Sequence, residues 1–146
     1  MLNTHRNRQL VRDFIHSIDS ELMVQFVDDE FYVYIADKLI NVAFNNDPLG
    51  DRLYTEFVEE SFGVSASPFL IGILHEVFHI FTYDEQLDKE RSLLYYMLQA
   101  NFEEENYEEY TKMYFAIPSE YKATEGAVNY YLSHKEECEN FLSQLE

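Results

Sequence analysis

The sequence contains little cysteine, glycine, proline or positive charge, and no tryptophan. Cys138 is its single cysteine among 146 residues, which excludes an internal disulfide framework and is typical of a reducing compartment. No apolar run reaches the roughly 20 residues that a membrane helix needs, and no apolar stretch of a secretory signal follows the basic N-terminal residues. No linker or internal repeat is visible. We therefore expect a single domain over residues 1–146, in the cytoplasm and without a membrane partner.

Basic residues are scarce: ten Lys and Arg stand against 28 Asp and Glu, so the formal net charge is -18. A surface of this sign repels phosphate backbones, and we expect no direct binding to nucleic acid. The charge is compatible with a basic protein partner, with imitation of DNA on a DNA-binding protein, or with solubility alone.

The chain is rich in residues that build a core, with 47% hydrophobic residues including twelve Phe and twelve Tyr. Helical spacing of apolar residues predicts a first helix over 5–18. Three short runs of strand-forming residues follow, with polar breaks between them. They predict a small antiparallel sheet of about three strands, at 22–27, 31–36 and 39–44. Asn-Asn-Asp-Pro-Leu-Gly at 45–50 is the clearest turn.

The rest of the chain predicts helices. Gly63 ends the first of them, and Ser67 with Pro68 begins the next as N-cap and first helical residue. The predicted helices cover 51–62, 68–84, 85–102, 104–115 and 119–145. A helix, then a small sheet, then mostly helices is an α+β fold.

His75, Glu76 and His79 form the motif His-Glu-x-x-His within the helix predicted at 68–84. Residues four apart lie one turn apart on the same helix face, so both imidazoles can bind one Zn²⁺ ion. Glu76 then lies where it can act as general base on a water molecule. Catalytic zinc has three protein ligands and an open position, so the pattern requires a third ligand from elsewhere.

Apolar residues surround this motif on nearly every side, which predicts a buried helix. An unsatisfied buried polar group costs about 1–3 kcal/mol, so two histidines and a glutamate there need partners or a metal. The alternative without metal is a hydrogen-bonded His–Glu–His cluster within the core.

The motif, with a small sheet before it and helices after it, resembles the zincin metallopeptidases. Pro118, Glu120, Ala123 and Ala127 form a Pro-x-Glu-x-x-Ala-x-x-x-Ala pattern. It is similar to a segment of ImmA/IrrE-like peptidases and of small phage-encoded metallopeptidases, where its glutamate completes the zinc site. The resemblance implies a zincin-like fold with Glu120 as the third ligand. It also implies small residues that let this helix approach the His-Glu-x-x-His helix closely.

This sequence departs from the family pattern at two positions. Phe78 stands where the family usually has Gly, and Thr124 stands where it has Asn or Asp. Two other acids compete with Glu120 for the metal. Glu125 lies about 140° away on the same helix, and Glu85 requires the motif helix to break straight after its second histidine.

Peptide hydrolysis also needs a group that stabilises the oxyanion. Tyr114 is our preferred donor, with Tyr121 and Tyr130 as alternatives. By resemblance to zincins, the strand at 39–44 is expected to border the cleft and to pair with an extended substrate.

The sequence thus leads to three hypotheses. The first is a zinc-dependent peptidase with Glu76 as general base, acting on a protein or peptide substrate. The second is an acidic partner-binding or DNA-mimicking inhibitor, of phage type, with a non-catalytic metal site. The third is a zincin-like fold without metal, in which the histidines are core residues.

Overall fold

The computed structural model describes residues 1–44 and 47–146 and has an α+β fold, as predicted. Asn45 and Asn46, in the middle of the predicted turn, lie outside the described residues. The strands are β1 (Met23–Val27), β2 (Tyr32–Tyr34) and β3 (Leu39–Ala43). The helices are α1 (His5–Ile18), α2 (Pro48–Phe62), α3 (Pro68–Phe81), α4 (Glu85–Ala100), α5 (Tyr107–Phe115), α6 (Pro118–Ser133) and α7 (Lys135–Gln144), with a 3-10 turn at Glu104–Asn106.

The sheet is mixed, with strand order β1-β3-β2. β2 and β3 form the predicted antiparallel hairpin, but β1 runs parallel to β3, so the expectation of an all-antiparallel sheet is wrong for β1. Ile40 to Ala43 are all buried, whereas β1 and β2 carry exposed positions. A strand buried on both faces belongs in the middle of a sheet, so β3 takes the central place and β2 becomes an edge strand.

Local signals explain the helix boundaries around α3. Asp47 caps α2 by accepting a hydrogen bond from the backbone N–H of Gly50 at 3.1 Å, and α2 ends at Gly63, whose φ is 68°. The Ser67 hydroxyl accepts from the backbone N–H of Leu70 at 3.3 Å, which caps α3 as predicted. Among the described residues, no helix is both long and apolar enough to cross a membrane.

The predicted C-terminal helix is two helices. His134, with φ -129° and ψ 38°, interrupts it between α6 and α7. α7 then packs on α1, where the rings of Phe14 and Phe141 stack with centroids 4.2 Å apart. The side chain of the buried Asn7 donates hydrogen bonds to the backbone carbonyls of Leu2 and Glu146, so α1 also fixes both chain ends.

α3 and α6 pack closely against each other at the centre of the molecule. Ala123 and Ala127 are fully buried, as expected for small residues at this contact. Gly126 makes the approach closer still, because a Cβ atom there would lie 2.5 Å from Cδ1 and 2.9 Å from Cγ of Phe78. Phe78, the departure from the family pattern, therefore fits against a position that has no side chain.

We expect Gly126→Ala to lower the free energy of unfolding in the natural sequence, because the new methyl group overlaps the Phe78 ring. In a Phe78→Ala background the overlap with the ring is absent and only a 3.2 Å contact with Cβ of residue 78 remains, so the same change should lower the free energy of unfolding by less. Urea unfolding of the four proteins in this double-mutant cycle measures both effects. An equal loss in both backgrounds would contradict the steric explanation.

Candidate metal centre

The structure brings His75, His79 and Glu120 together. α3 presents the two imidazoles on one face, with ring centroids 4.5 Å apart and ring planes nearly perpendicular. Oε2 of Glu120 lies 2.9 Å from Nε2 of His75 and 2.6 Å from Nε2 of His79. The three possible ligand atoms all lie within 4.8 Å of one another. Two imidazole nitrogens and one carboxylate oxygen that converge in this way form a group able to hold a metal ion.

The two competing acids lie elsewhere. Glu125 is on the exposed side of α6, as its angle from Glu120 implies. Glu85 is exposed at the start of α4, where it pairs with Lys89 at 3.2 Å. α3 does continue past His79 to Phe81, so the break that Glu85 would require does not occur there.

The second nitrogen of His75 is oriented by a hydrogen-bonded chain. Nδ1 of His75 lies 2.9 Å from the hydroxyl of Thr124, and that hydroxyl lies 3.0 Å from the hydroxyl of Tyr54. Burial raises the pKa of Tyr54, so its hydroxyl stays protonated. A partner on the far nitrogen fixes ring orientation and tautomer, which leaves Nε2 to face a metal. Thr124 thus contacts the first histidine of the motif.

The other oxygen of Glu120 has its own partners. Oε1 accepts hydrogen bonds from Nε of Arg91 at 3.0 Å and from the hydroxyl of Tyr114 at 2.8 Å. Because these two donors occupy Oε1, the carboxylate presents Oε2 alone to the imidazoles. A metal held by one oxygen of Glu120 keeps more of its coordination positions open than one held by both.

Electrostatics keep Glu120 ionised although it is only 2% exposed. Burial alone would raise the pKa of this carboxyl, but the hydrogen bonds and positive charge of His75 and His79 outweigh it and hold the pKa well below its usual range. For His75, burial alone would lower the pKa, but the bond to Glu120 and the charge of Glu76 raise it above its usual value. Glu120 is therefore a charged carboxylate without any metal.

Glu76 lies beside this group in an apolar setting. Its side chain is buried in α3 and lines the adjoining cleft. Burial raises the pKa of Glu76, while the nearby His75 and His79 act in the opposite direction and do not cancel the effect. A carboxylate with a raised pKa next to an open cleft is a base that accepts a proton more readily than one in water.

The cleft has a volume of about 640 Å³ and reaches His79, Glu76 and Glu120. One wall is residues 31–36, which include β2, and the others are the end of α3 and the first turns of α4 and α6. The expectation that the strand at 39–44 borders the cleft is wrong. β3 is the central strand with a neighbour on each side, and the wall is formed by the edge strand β2.

The three candidate tyrosines lie in different surroundings. Tyr114 lines the cleft and donates to Glu120. Tyr121 packs its ring on Phe62, and Tyr130 stacks on His134 with centroids 4.0 Å apart. Burial raises the pKa of Tyr114, followed by the charge of Glu120, so its hydroxyl remains a donor.

The sequence did not single out Arg91 or Tyr54. Arg91 belongs to α4, a helix without a buried residue, and lies 29 residues from its partner. Tyr54 is one of twelve tyrosines and lies 70 residues from Thr124. For Arg91 the one indication in the sequence is that basic residues are few, ten in the whole chain.

A comparison of the chain with protein-family models, with curated proteins and with solved structures finds no match. The side-chain geometry is therefore the main support for any function.

We expect the purified protein to bind one equivalent of a divalent transition metal, and His79→Ala and Glu120→Gln to lose this stoichiometric binding. Each change removes one of the three converging ligand atoms. Elemental analysis after dialysis and isothermal titration measure the stoichiometry. Glu125→Gln and Glu85→Gln are matched controls that should bind metal like the natural protein, and loss of binding in either would contradict this ligand set.

Proposed function

We propose that this protein is a zinc-dependent peptidase in which His75, His79 and Glu120 hold the ion and Glu76 is the general base. The observation that carries the proposal is the convergence of both Nε2 atoms on Glu120 beside an open cleft that Glu76, His79 and Glu120 line. A structural zinc site has four protein ligands and is closed to solvent. Three ligands beside a cleft are the pattern of a catalytic site.

Zinc is the metal that best suits this donor set. Two neutral imidazoles and one carboxylate, buried and without a thiolate, match the ligands of many catalytic zinc sites. Hard cations such as Mg²⁺ and Ca²⁺ prefer sets of oxygen ligands. A bound zinc ion would supply Lewis acidity towards a peptide carbonyl in the cleft.

Glu76 provides the proton transfers in this proposal. Its carboxylate accepts a proton from the water molecule that attacks the peptide carbon, and it later gives a proton to the leaving amine. The apolar residues around α3 keep its pKa raised, which suits both steps. The hydrogen bond between His75 and Thr124 holds the first imidazole in place. Hydrogen bonds from Arg91 and Tyr114 hold the carboxylate of Glu120.

The substrate class we propose is an extended segment of a protein or peptide. β2 is an edge strand paired with β3, and residues 31–36 form one wall of the cleft. An extended peptide can add to such an edge through backbone hydrogen bonds, which places its carbonyls along the cleft. The cytoplasm stays our proposed compartment, because the single thiol, Cys138, is free and buried.

Glu76→Gln is expected to reduce peptide cleavage by about 10²–10⁴-fold, because an amide cannot accept the proton. Zinc content should not change, since Glu76 is not among the three ligands. Cleavage of an unfolded protein substrate and elemental analysis of the same samples measure the two quantities. Glu125→Gln, an equivalent change on an exposed position, should retain full cleavage.

Chelation followed by return of zinc should abolish and then restore cleavage in the natural protein. Cleavage that survives both Glu76→Gln and chelation would refute the proposal. A protein that binds zinc but cleaves no substrate under any condition would instead favour a non-catalytic metal site in an acidic partner-binding protein.

Tyr114 takes a different role here from the oxyanion donor expected from the sequence. Its hydroxyl already donates to Glu120, so we propose that it positions the third ligand. Tyr114→Phe should then weaken zinc binding by about 10–100-fold, as removal of such supporting partners does elsewhere. Competition with a chromophoric chelator measures the affinity. If Tyr114→Phe lowers kcat at saturating zinc and leaves zinc affinity unchanged, the hydroxyl acts on the reaction and not on the ligand.

A further inference from the structure

α4 and α5 form a helical pair with no buried residue in either helix. Large apolar side chains are exposed along this pair: Tyr96 is 71% exposed, Leu93 61%, and Met97 and Met113 52% each. An amphipathic helix normally buries its apolar stripe against a neighbour. Exposed apolar surface on neighbouring helices is typical of an interaction site, and of these four residues Met97 and Met113 line a common groove.

A groove of about 500 Å³ runs between the two helices, and we call it the α4–α5 groove. Its floor is apolar, and Asn101, Asn106 and Glu109 are among its lining residues. The apolar residues that line it include Leu94, Met97, Leu98, Met113 and Ile117. α4 is 16 residues long, or about 24 Å by helical rise, which is enough to lie beside several turns of a bound helix. Methionine side chains adapt their shape to the apolar face that covers them.

The charge around the α4–α5 groove is strongly negative. Residues 92–111 contain five glutamates and no Lys or Arg. The nearest bases on either side are engaged, since Arg91 pairs with Glu120 and Lys112 lies 3.4 Å from Glu56. Glu108 pairs with Arg52 at 2.8 Å, so the carboxylates that basic groups of a partner would meet are those of Glu103, Glu104, Glu105 and Glu109.

We propose that the α4–α5 groove binds an amphipathic helix of a partner protein, with the apolar face of that helix on the methionines and its basic residues against the glutamates. A groove between two helices accepts a third helix by the same packing that helices use in cores. A second copy of this chain is a poorer occupant, because two molecules of net charge -18 repel each other. The groove is separate from the cleft that reaches His79, Glu76 and Glu120, which we call the metal cleft, and binding in the groove does not require peptidase activity.

The two sites share α4. Leu87, Asp88 and Arg91 line the metal cleft, while Leu94, Met97 and Leu98 line the α4–α5 groove. A partner bound in the groove would thus lie within a few helical turns of Arg91, which holds Glu120.

The test uses the full chain and three labelled peptides of about 18 residues. The first is an amphipathic helix of Lys and Leu, the second has the same composition in an order without an apolar face, and the third replaces Lys by Glu. By fluorescence anisotropy at about 0.15 M salt, the first should bind at least about 10-fold more tightly than either control. Equal binding of the first two peptides would overturn the proposal, since charge alone would then explain it.

Variants locate the contact. Met97→Asn with Met113→Asn removes apolar surface without changing charge, and should weaken binding of the first peptide by about 10-fold or more. Both side chains are half exposed, so the fold should not depend on them. Leu132→Asn is the matched control, because Leu132 is exposed to 53% on α6, and should have no effect. An unchanged affinity of the methionine double variant would refute the groove as the site.

Charge is tested separately. Replacement of Glu104, Glu105 and Glu109 by Gln should weaken binding and flatten its salt dependence, whereas Glu136→Gln with Glu137→Gln on α7 should do neither. Equal effects of the two sets would contradict local charge complementarity. Sedimentation gives the remaining alternative: a dimer of the natural protein that Met97→Asn with Met113→Asn dissociates would assign the groove to a second copy of the chain.

Discussion

A single buried carboxylate, that of Glu120, holds the centre of this molecule together. Its two oxygens contact side chains from three other helices. Oε2 contacts the two imidazoles of α3, and Oε1 contacts Arg91 of α4 and Tyr114 of α5. A charge this deeply buried destabilises a protein by several kcal/mol when it lacks partners. The arrangement is therefore tolerable only because four donors surround it, and the same four contacts fix where the ligand oxygen points. Stability and the convergence of Glu120 on both imidazoles have the same geometric requirement here.

That requirement depends in turn on the close packing of α6 against α3. Glu120 reaches both imidazoles because Ala123 and Ala127 let the two helices approach, and Gly126 accepts the ring of Phe78. Larger residues at these positions would separate the helices, and a carboxylate side chain is too short to compensate for a displacement of more than an ångström or two. The small residues of α6 thus act on the chemistry through distance. Thr124 lies on the same helix and contacts His75, so a single element supplies both the buried carboxylate and a hydrogen-bond partner of the first histidine.

The sequence predicted those parts of the site that follow from helical periodicity or a short motif. It missed those that depend on packing between residues far apart in the chain. The spacing of His75 and His79 is a property of any helix, so their common face was predictable, and the Pro-x-Glu-x-x-Ala pattern led to Glu120. Arg91 and Tyr54 have no such signal, because each reaches the site from another helix.

The sheet shows the same difference between local and long-range information. Short apolar runs predicted three strands and the β2–β3 hairpin, but the central position of β3 follows from burial on both faces, which depends on what covers the sheet. The break at His134 was missed because no proline or glycine marks it.

α4 contains no buried residue, unlike the other long helices, yet its first half borders the cleft beside His79 and its second half borders the α4–α5 groove. Its first turns line the metal cleft and provide Arg91, and its last turns form one side of the α4–α5 groove. A helix with few core contacts can move or bend at small cost in free energy, because little apolar area changes its exposure. Arg91 connects α4 to the buried Glu120 through an ion pair with a hydrogen bond of 3.0 Å. Any force that displaces α4 therefore acts on the carboxylate that faces the histidines. In the two proposals made above, occupation of the groove would act on the proposed metal ligands through Arg91, and a substitution of Arg91 would remove that connection.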